Sequence, residues 1–120
     1  MEIAIVAFTS PVQAEHEMLA IGVHPAGAKI MARKAVFVVI KLLSIAAKAA
    51  NVMKQDMLSV GGDAAVHMLS ISCEIANTDV ILMGTLRQYD ELLIKLERQP
   101  WGMKQVALDI KSSLAEKNLM

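Results

Sequence analysis

The chain reads as an α/β (or α+β) domain, and three features point there. Short apolar runs rich in β-branched residues alternate with stretches of helical 3.6-residue period. All six glycines and all three prolines fall at the boundaries between these runs. At 120 residues there is material for one domain, 1–120, able to bury about two-thirds of its unfolded surface. We therefore expect a single layered domain, a mixed sheet of about four strands packed by about four helices, in the order β-α-β-α-β-β-α-α.

Glu2 to Phe8 (EIAIVAF) reads as a strand bounded by Thr9-Ser10-Pro11. Ser10 is placed to cap a helix from Pro11 to Ile21, with Gln13 completing a capping box and Gly22 closing it. Val23 to Lys34 holds His24-Pro25 and Gly27 and reads as a loop or a single helical turn. Ala35 to Leu42 (AVFVVIKL) is a nearly continuous apolar run, the pattern of a central strand covered on both faces. The helix that follows begins at Ser44 as N-cap and buries Ala46, Ala49, Ala50, Met53, Met57 and Val60, while Lys48, Asn51, Gln55 and Ser59 face away. Gly61 takes the left-handed position that ends a helix, and Gly62-Asp63 turns into a short strand through Val66. That strand-helix-strand order favours a right-handed parallel crossover.

Met68 to Asn77 is ambiguous between a strand extension and a hairpin arm. Asp79 to Met83 (DVILM) is a buried strand stopped by Gly84. Thr85 caps the next helix with Gln88 at the third position, and Leu92, Leu93 and Leu96 with Tyr89 form its apolar stripe. Gln99-Pro100 ends it. The last helix, Trp101 to Glu116, places Met103, Ala107, Ile110 and Leu114 on one side.

Hydrophobic residues make up 55% of the chain, so an apolar patch that meets a partner is expected. With nine Met and only four aromatic residues, the core should be filled by flexible and small side chains. The net charge is zero, which implies no general attraction to nucleic acid or an anionic membrane. The charges are nonetheless segregated: Met18 to Gln55 carries six bases and no acid, and Asp56 to Glu91 six acids and one base, Arg87. Folding either mixes these blocks or leaves a basic face.

The single cysteine, Cys73, excludes an internal disulfide and reads as a buried apolar residue in a reducing compartment. Glu2 stands where the positive segment of a secretory leader would be, and the apolar stretch 35–50 is broken by Lys41, Ser44 and Lys48. A soluble, cytoplasmic protein is expected. No cofactor is indicated. His16, His24 and His67 lack metal-ligand spacing with one another or with Cys73, so no metal site is expected.

The best local candidate for chemistry is Gly84-Thr85-Leu86-Arg87-Gln88, at the carboxyl end of a strand and the start of a helix. Free backbone N–H groups, the positive end of the helix dipole and Arg87 would hold an anion there; the other reading is a well-capped helix. Lys54 and Asp63 complete this candidate ligand set. An acid–base set of Lys54, Asp56, Asp63 and His67 is a weaker reading, because a solvated helix end has the same composition. Trp101 either anchors a partner or fills a gap between two helices.

Five ordered segments carry a resemblance: Gly22-Val-His-Pro-Ala-Gly27, Ala50-Asn-Val-Met-Lys-Gln-Asp-Met-Leu58, Gly61-Gly-Asp-Ala-Ala-Val66, Thr78 to Tyr89 (TDVILMGTLRQY) and Gln99-Pro-Trp-Gly102. Over residues 16 to 116 the chain resembles the N-terminal extension of some bacterial dihydropteroate synthases. Trp101, where phenylalanine is expected, and His67-Met68, in place of a more polar continuation, are departures from it. That family joins a pterin pyrophosphate to p-aminobenzoate in folate synthesis on a TIM barrel, whose Asn-Val-Thr-Pro-Asp-Ser-Phe type signature is absent from these residues. No catalytic residue of the family therefore carries over. The resemblance implies an accessory, non-catalytic domain acting in docking, dimerisation or regulation, with a second copy or a synthase barrel as partner. The alternative is a domain that binds an anionic small molecule such as a pterin or folate precursor.

Overall fold

The computed structural model describes residues 1–120 and holds five helices and one three-stranded sheet. The elements are α1 (Pro11–Ala20), α2 (Pro25–Ala32), β1 (Phe37–Ala46), α3 (Ala47–Ser59), β2 (Asp63–Ala65), β3 (Asn77–Thr85), α4 (Leu86–Leu96) and α5 (Met103–Glu116). It is a mixed α/β domain of the α+β kind. The sheet order is β1-β3-β2, and β3 runs antiparallel to both neighbours. β1 and β2, joined through α3, thus run parallel to each other with β3 inserted between them. The expected crossover exists in this split form, and every strand pair in the expected mixed sheet is antiparallel.

Burial alternates along β3: Thr78, Val80, Leu82 and Gly84 face inward, while Asp79 and Ile81 face out. α3 and α4 cover the inward face, and α5 packs on α4. The other face of the sheet is open. Ala35 to Leu42 is therefore an edge strand with one covered face, which corrects the expectation of a central one. The core is built as its composition suggested, from Met53, Met57 and Met103 with small residues such as Ala49, Ala50 and Ala107, and one ring, Tyr89.

Helix ends follow the sequence closely. Gly61 has φ +96°, and the N–H groups of Gly61 and Gly62 donate to Leu58 and Met57, the paired bonds of a Schellman stop. Gly22 ends α1 in the same way, its N–H and that of Val23 bonding to Leu19 and Met18. Thr85 and Gln88 form the full capping box. Ser10 caps α1, but Gln13 reaches past it to the N–H of Thr9, so that box is half made.

Further expectations need correction. Glu2 to Phe8 forms no strand, because no sheet edge of its own chain lies beside it. Val23 to Lys34 contains a two-turn helix, since Pro25 is at the first helical position and the His24 ring accepts the Ala26 N–H. Ser44 caps nothing. It lies in β1 at φ +54°, in a bulge where Leu43 and Ser44 face one residue, Asp79, whose carboxylate takes the Ser44 N–H at 2.9 Å. Gly84 does not stop its strand but pairs with Val38 inside it. The segment 67–76 is a series of turns held by Asn51, which donates to the Ser70 carbonyl and accepts from its hydroxyl, so Asn51 does not face solvent as expected. Cys73 lies exposed in these turns, not buried.

The segregated charges meet in the fold. Arg33 binds Asp90 through two bonds of 2.6 Å, and Lys54 meets Asp63 at 3.2 Å, so bases of the first block neutralise acids of the second. No helix is long and apolar enough to cross a membrane.

Gly62 and Gly84 are required by close approach. A Cβ on Gly62 would lie 2.7 Å from the Met83 carbonyl oxygen and 2.8 Å from the Met57 methyl. A Cβ on Gly84 would meet the same methyl at 2.5 Å and the Gln88 Oε1 at 2.9 Å. The first obstacle includes rigid backbone; the second consists of side-chain ends. Gly84→Ala is expected to cost about 1 kcal/mol and Gly62→Ala about 2–3 kcal/mol by denaturant unfolding. In a Met57→Ala background the Gly84→Ala cost should largely vanish, whereas most of the Gly62→Ala cost should persist.

Candidate functional site

The strand-to-helix turn at Gly84–Gln88 is formed by the end of β3 and the capping box of α4. Thr85 Oγ1 accepts the Gln88 N–H at 3.3 Å, and Gln88 Oε1 accepts the Thr85 N–H at 2.8 Å. The remaining donors at the helix start are taken as well: Leu86 N–H bonds to Val36 and Arg87 N–H to Arg33, both at 3.0 Å. The N–H groups expected to cradle an anion are therefore satisfied within the fold. Gly84 leaves no open cradle either, because Met57 and Gln88 occupy the space beside it.

Two shallow clefts flank the turn. One, of about 330 Å³, is lined by Lys34, Val60, Thr85, Arg87, Gln88 and Glu91. It brings Arg87 beside a lysine, but that lysine is Lys34 and not Lys54. Arg87 is itself paired with Glu91 at 3.2 Å, an exposed contact one helical turn away. The other cleft, of about 470 Å³, opens on the bare face of the sheet between Phe37, Asp63, Met83 and Gln88, with Gly61 and Gly62 as its floor. Asp63 thus reaches the turn, while Lys54 bonds to Asp63 and, at 2.6 Å, to the Ala64 carbonyl. The N–H of Ala64, with help from Lys54, holds the Asp63 carboxyl below the ordinary carboxylate range.

The acid–base set is not assembled. Of its four members only Lys54 and Asp63 touch; Asp56 accepts from Gln99, and His67 Nδ1 accepts the Leu69 N–H. A polar cleft of about 450 Å³ that the sequence reading missed holds Ser44, His67, Asn77, Thr78 and Asp79. These residue types suggest a nucleophile, a base and an orienting acid, yet no bond links the His67 ring to Ser44 or Asp79. Asp79 is engaged by the Ser44 N–H, and Thr78 Oγ1 by the His67 N–H. Its only sequence signal is the serine that interrupts the β1 alternation. No group of three His, Cys, Asp or Glu side chains able to hold a metal is formed.

Trp101 lies in the turn between α4 and α5 at φ +61° and is half exposed. It borders an apolar cleft with Ala46, Ala47, Cys73, Ile75 and Ala76.

The chain is 34% identical over 92 residues to a Halobacterium salinarum protein named as a bifunctional folylpolyglutamate synthase/dihydropteroate synthase, covering 77% of this chain and 11% of the relative. A Haloferax volcanii protein of the same name is 40% identical over 65 residues, 54% of this chain and 8% of the relative. A Helicobacter pylori protein named as a bifunctional dihydropteroate synthase/dihydropteroate reductase is 32% identical over 84 residues, 70% of this chain and 22% of the relative. The chain is related to a segment of dihydropteroate synthase-containing proteins. It spans between 8% and 22% of the length of these relatives. No family model matches the chain, and no solved structure matches it.

Tyr89, buried on α4, ties that helix to β1, its hydroxyl donating to the Val38 carbonyl at 2.8 Å. Burial raises its pKa well above the ordinary tyrosine value of 10.0. Its contribution to stability is thus full below about pH 10 and is lost above it, where the unfolded tyrosine ionises and the buried one does not. Tyr89→Phe is expected to lower stability by about 1 kcal/mol at pH 7. In paired denaturant titrations this gap should shrink as the pH rises beyond 10.

Proposed function

We propose that this chain is an accessory domain of a dihydropteroate synthase-type protein in folate biosynthesis, acting through docking, dimerisation or regulation rather than catalysing the synthase step. The observation that carries this reading is the shared segment: all three relatives bear the synthase name, two beside folylpolyglutamate synthase and one beside dihydropteroate reductase. Two structural features support it. The candidate acid–base side chains Lys54, Asp56, Asp63 and His67 and the candidate anion ligand Arg87 are spent on local contacts, and one face of the sheet carries exposed Phe37, Val39, Leu43 and Ile81. An apolar face of this kind marks a protein contact. A free, exposed Cys73 fits a reducing cytoplasm.

One observation favours a second reading. If 84 residues are 22% of the Helicobacter relative, that protein has about 380 residues, and a TIM barrel takes about 250 of them. The remainder, about 130, is close to the size of this chain, and its name includes a second activity, dihydropteroate reductase. Such a reduction transfers a hydride and a proton to the pterin ring, and the hydride comes from a bound reduced nicotinamide or flavin. The protein then needs to hold and orient two flat rings, with no acid–base constellation of its own. An anionic pterin held by the Lys34 and Arg87 side chains belongs to this reading.

The two are separated by mixing the purified chain with a dihydropteroate synthase and following light scattering and the fluorescence of the lone Trp101. The accessory reading predicts a saturable complex and no oxidation of a reduced nicotinamide when dihydropteroate is supplied, with or without added flavin. Absence of a complex at tens of micromolar overturns it, and dihydropteroate-dependent oxidation by the chain alone establishes the second reading in its place.

A further inference from the structure

Residues 1–7 find little surface on their own body, and the first two helices reach its core through few residues, Ala14 and Ala32 among them, with Phe8 packed at the edge. Residues 1–8 make no backbone hydrogen bond, and Ile3, Ile5 and Val6 are exposed, Ile5 almost completely at 99%. α1 packs on α2, and neither lies against the sheet. This hairpin is tied to the body by the Arg33–Asp90 pair, by the Arg33 and Val36 carbonyls that accept from α4, and by small buried residues such as Ala32. The molecule is elongated as a result, 52 × 30 × 23 Å, with a radius of gyration of 16.3 Å where a compact chain of this length has about 14 Å.

The sheet shows the complementary deficiency. β1 spans ten residues, and one of its edges pairs with nothing. It carries no proline, its bulge lies near its far end at Leu43–Ser44, and its only charged side chain is Lys41. A long apolar edge with so little protection is a template for another strand. The same chain owns such a strand: Glu2 to Phe8 has strand composition, no partner, and a single charged side chain, Glu2, opposite in sign to Lys41.

We propose that two copies of this chain dimerise by exchanging arms, Glu2 to Phe8 of each adding as a strand to the open β1 edge of the other. Both halves of the contact are present in one chain, which makes it self-complementary and closes it with twofold symmetry. Ile3 and Ile5, two residues apart and so on one face of such a strand, then shelter with Phe37, Val39 and Leu43 on the open face of β1. The inference deepens the accessory reading by assigning its partner, a second copy, and rests on that reading.

The test is light scattering of the full chain across a hundredfold concentration range, beside a chain lacking residues 1–7, Ile3→Asp/Ile5→Asp and Lys41→Pro. Arm exchange predicts a mass of twice 13.0 kDa for the full chain and association at least tenfold weaker for the three variants, with unchanged circular dichroism in the first two. Met68→Asp, at an exposed apolar residue in the 67–76 turns, should remain dimeric. In a Cys73→Ser background, differently tagged copies bearing Ile5→Cys and Val39→Cys should form a disulfide between tags. A monomer at every concentration, a dimer indifferent to loss of the arm, or a disulfide that forms only within a chain carrying both cysteines would overturn the proposal. A monomer that still binds the synthase overturns arm exchange alone, whereas an arm-exchanged dimer that ignores the synthase overturns the accessory reading alone.

Discussion

The seat of Met57 between Gly62 and Gly84 sets how closely α3 approaches the sheet, and much of the domain follows from it. Because neither glycine has a side chain, Met57 is fully buried against β2 and β3, and the Gln88 side chain can fold back beside it onto Thr85. That closes the capping box and starts α4 directly from the end of β3. The direction of α4 then presents the N–H groups of Leu86 and Arg87 to the carbonyls of Val36 and Arg33, which fixes where α2 ends and β1 begins. A glycine before a capped helix has the look of an anion cradle, but here each of these groups is a packing or capping device. The same donors cannot serve both roles.

What was legible in the sequence is what local chemistry decides. The stops at Gly22 and Gly61, the Thr85–Gln88 box and the buried stripe of α4 depend on residues within one or two turns of each other. What was not legible depends on neighbours distant in the chain. Glu2 to Phe8 has strand composition, but a strand needs an edge, and none of its own lies beside it. Ser44 has the chemistry of an N-cap, yet its N–H is claimed by Asp79 across the sheet, which moves the helix start to Ala47. Of the candidate ligand set, the meeting of Lys54 with Asp63 follows from a helix reversing into a strand. The meeting of Lys34 with Arg87 arises where the end of α2 crosses α4, which no sequence period reports.

The architecture is asymmetric in its coverage. α3 and α4 shield one face of the sheet; the other presents an apolar row along β1, and the α1–α2 hairpin stands away from the body. Such a domain has more apolar surface than its own helices cover, consistent with a chain that is 55% hydrophobic. Its relatives bear the same segment within much longer proteins. A module that presents surface rather than an assembled catalytic set accounts for both facts, and the proposed arm exchange would cover the open edge of β1 with a second copy.

The most direct measurement of that claim is hydrogen–deuterium exchange of the isolated chain at low and high concentration, read at Ile3–Phe8 and at Phe37–Leu43. The account predicts that the arm amides and the outward-pointing amides of β1 gain protection together as concentration rises, while Ile81–Met83 of β3, already paired on both sides, are unchanged. Fast exchange of the arm and the β1 edge at every concentration would contradict it.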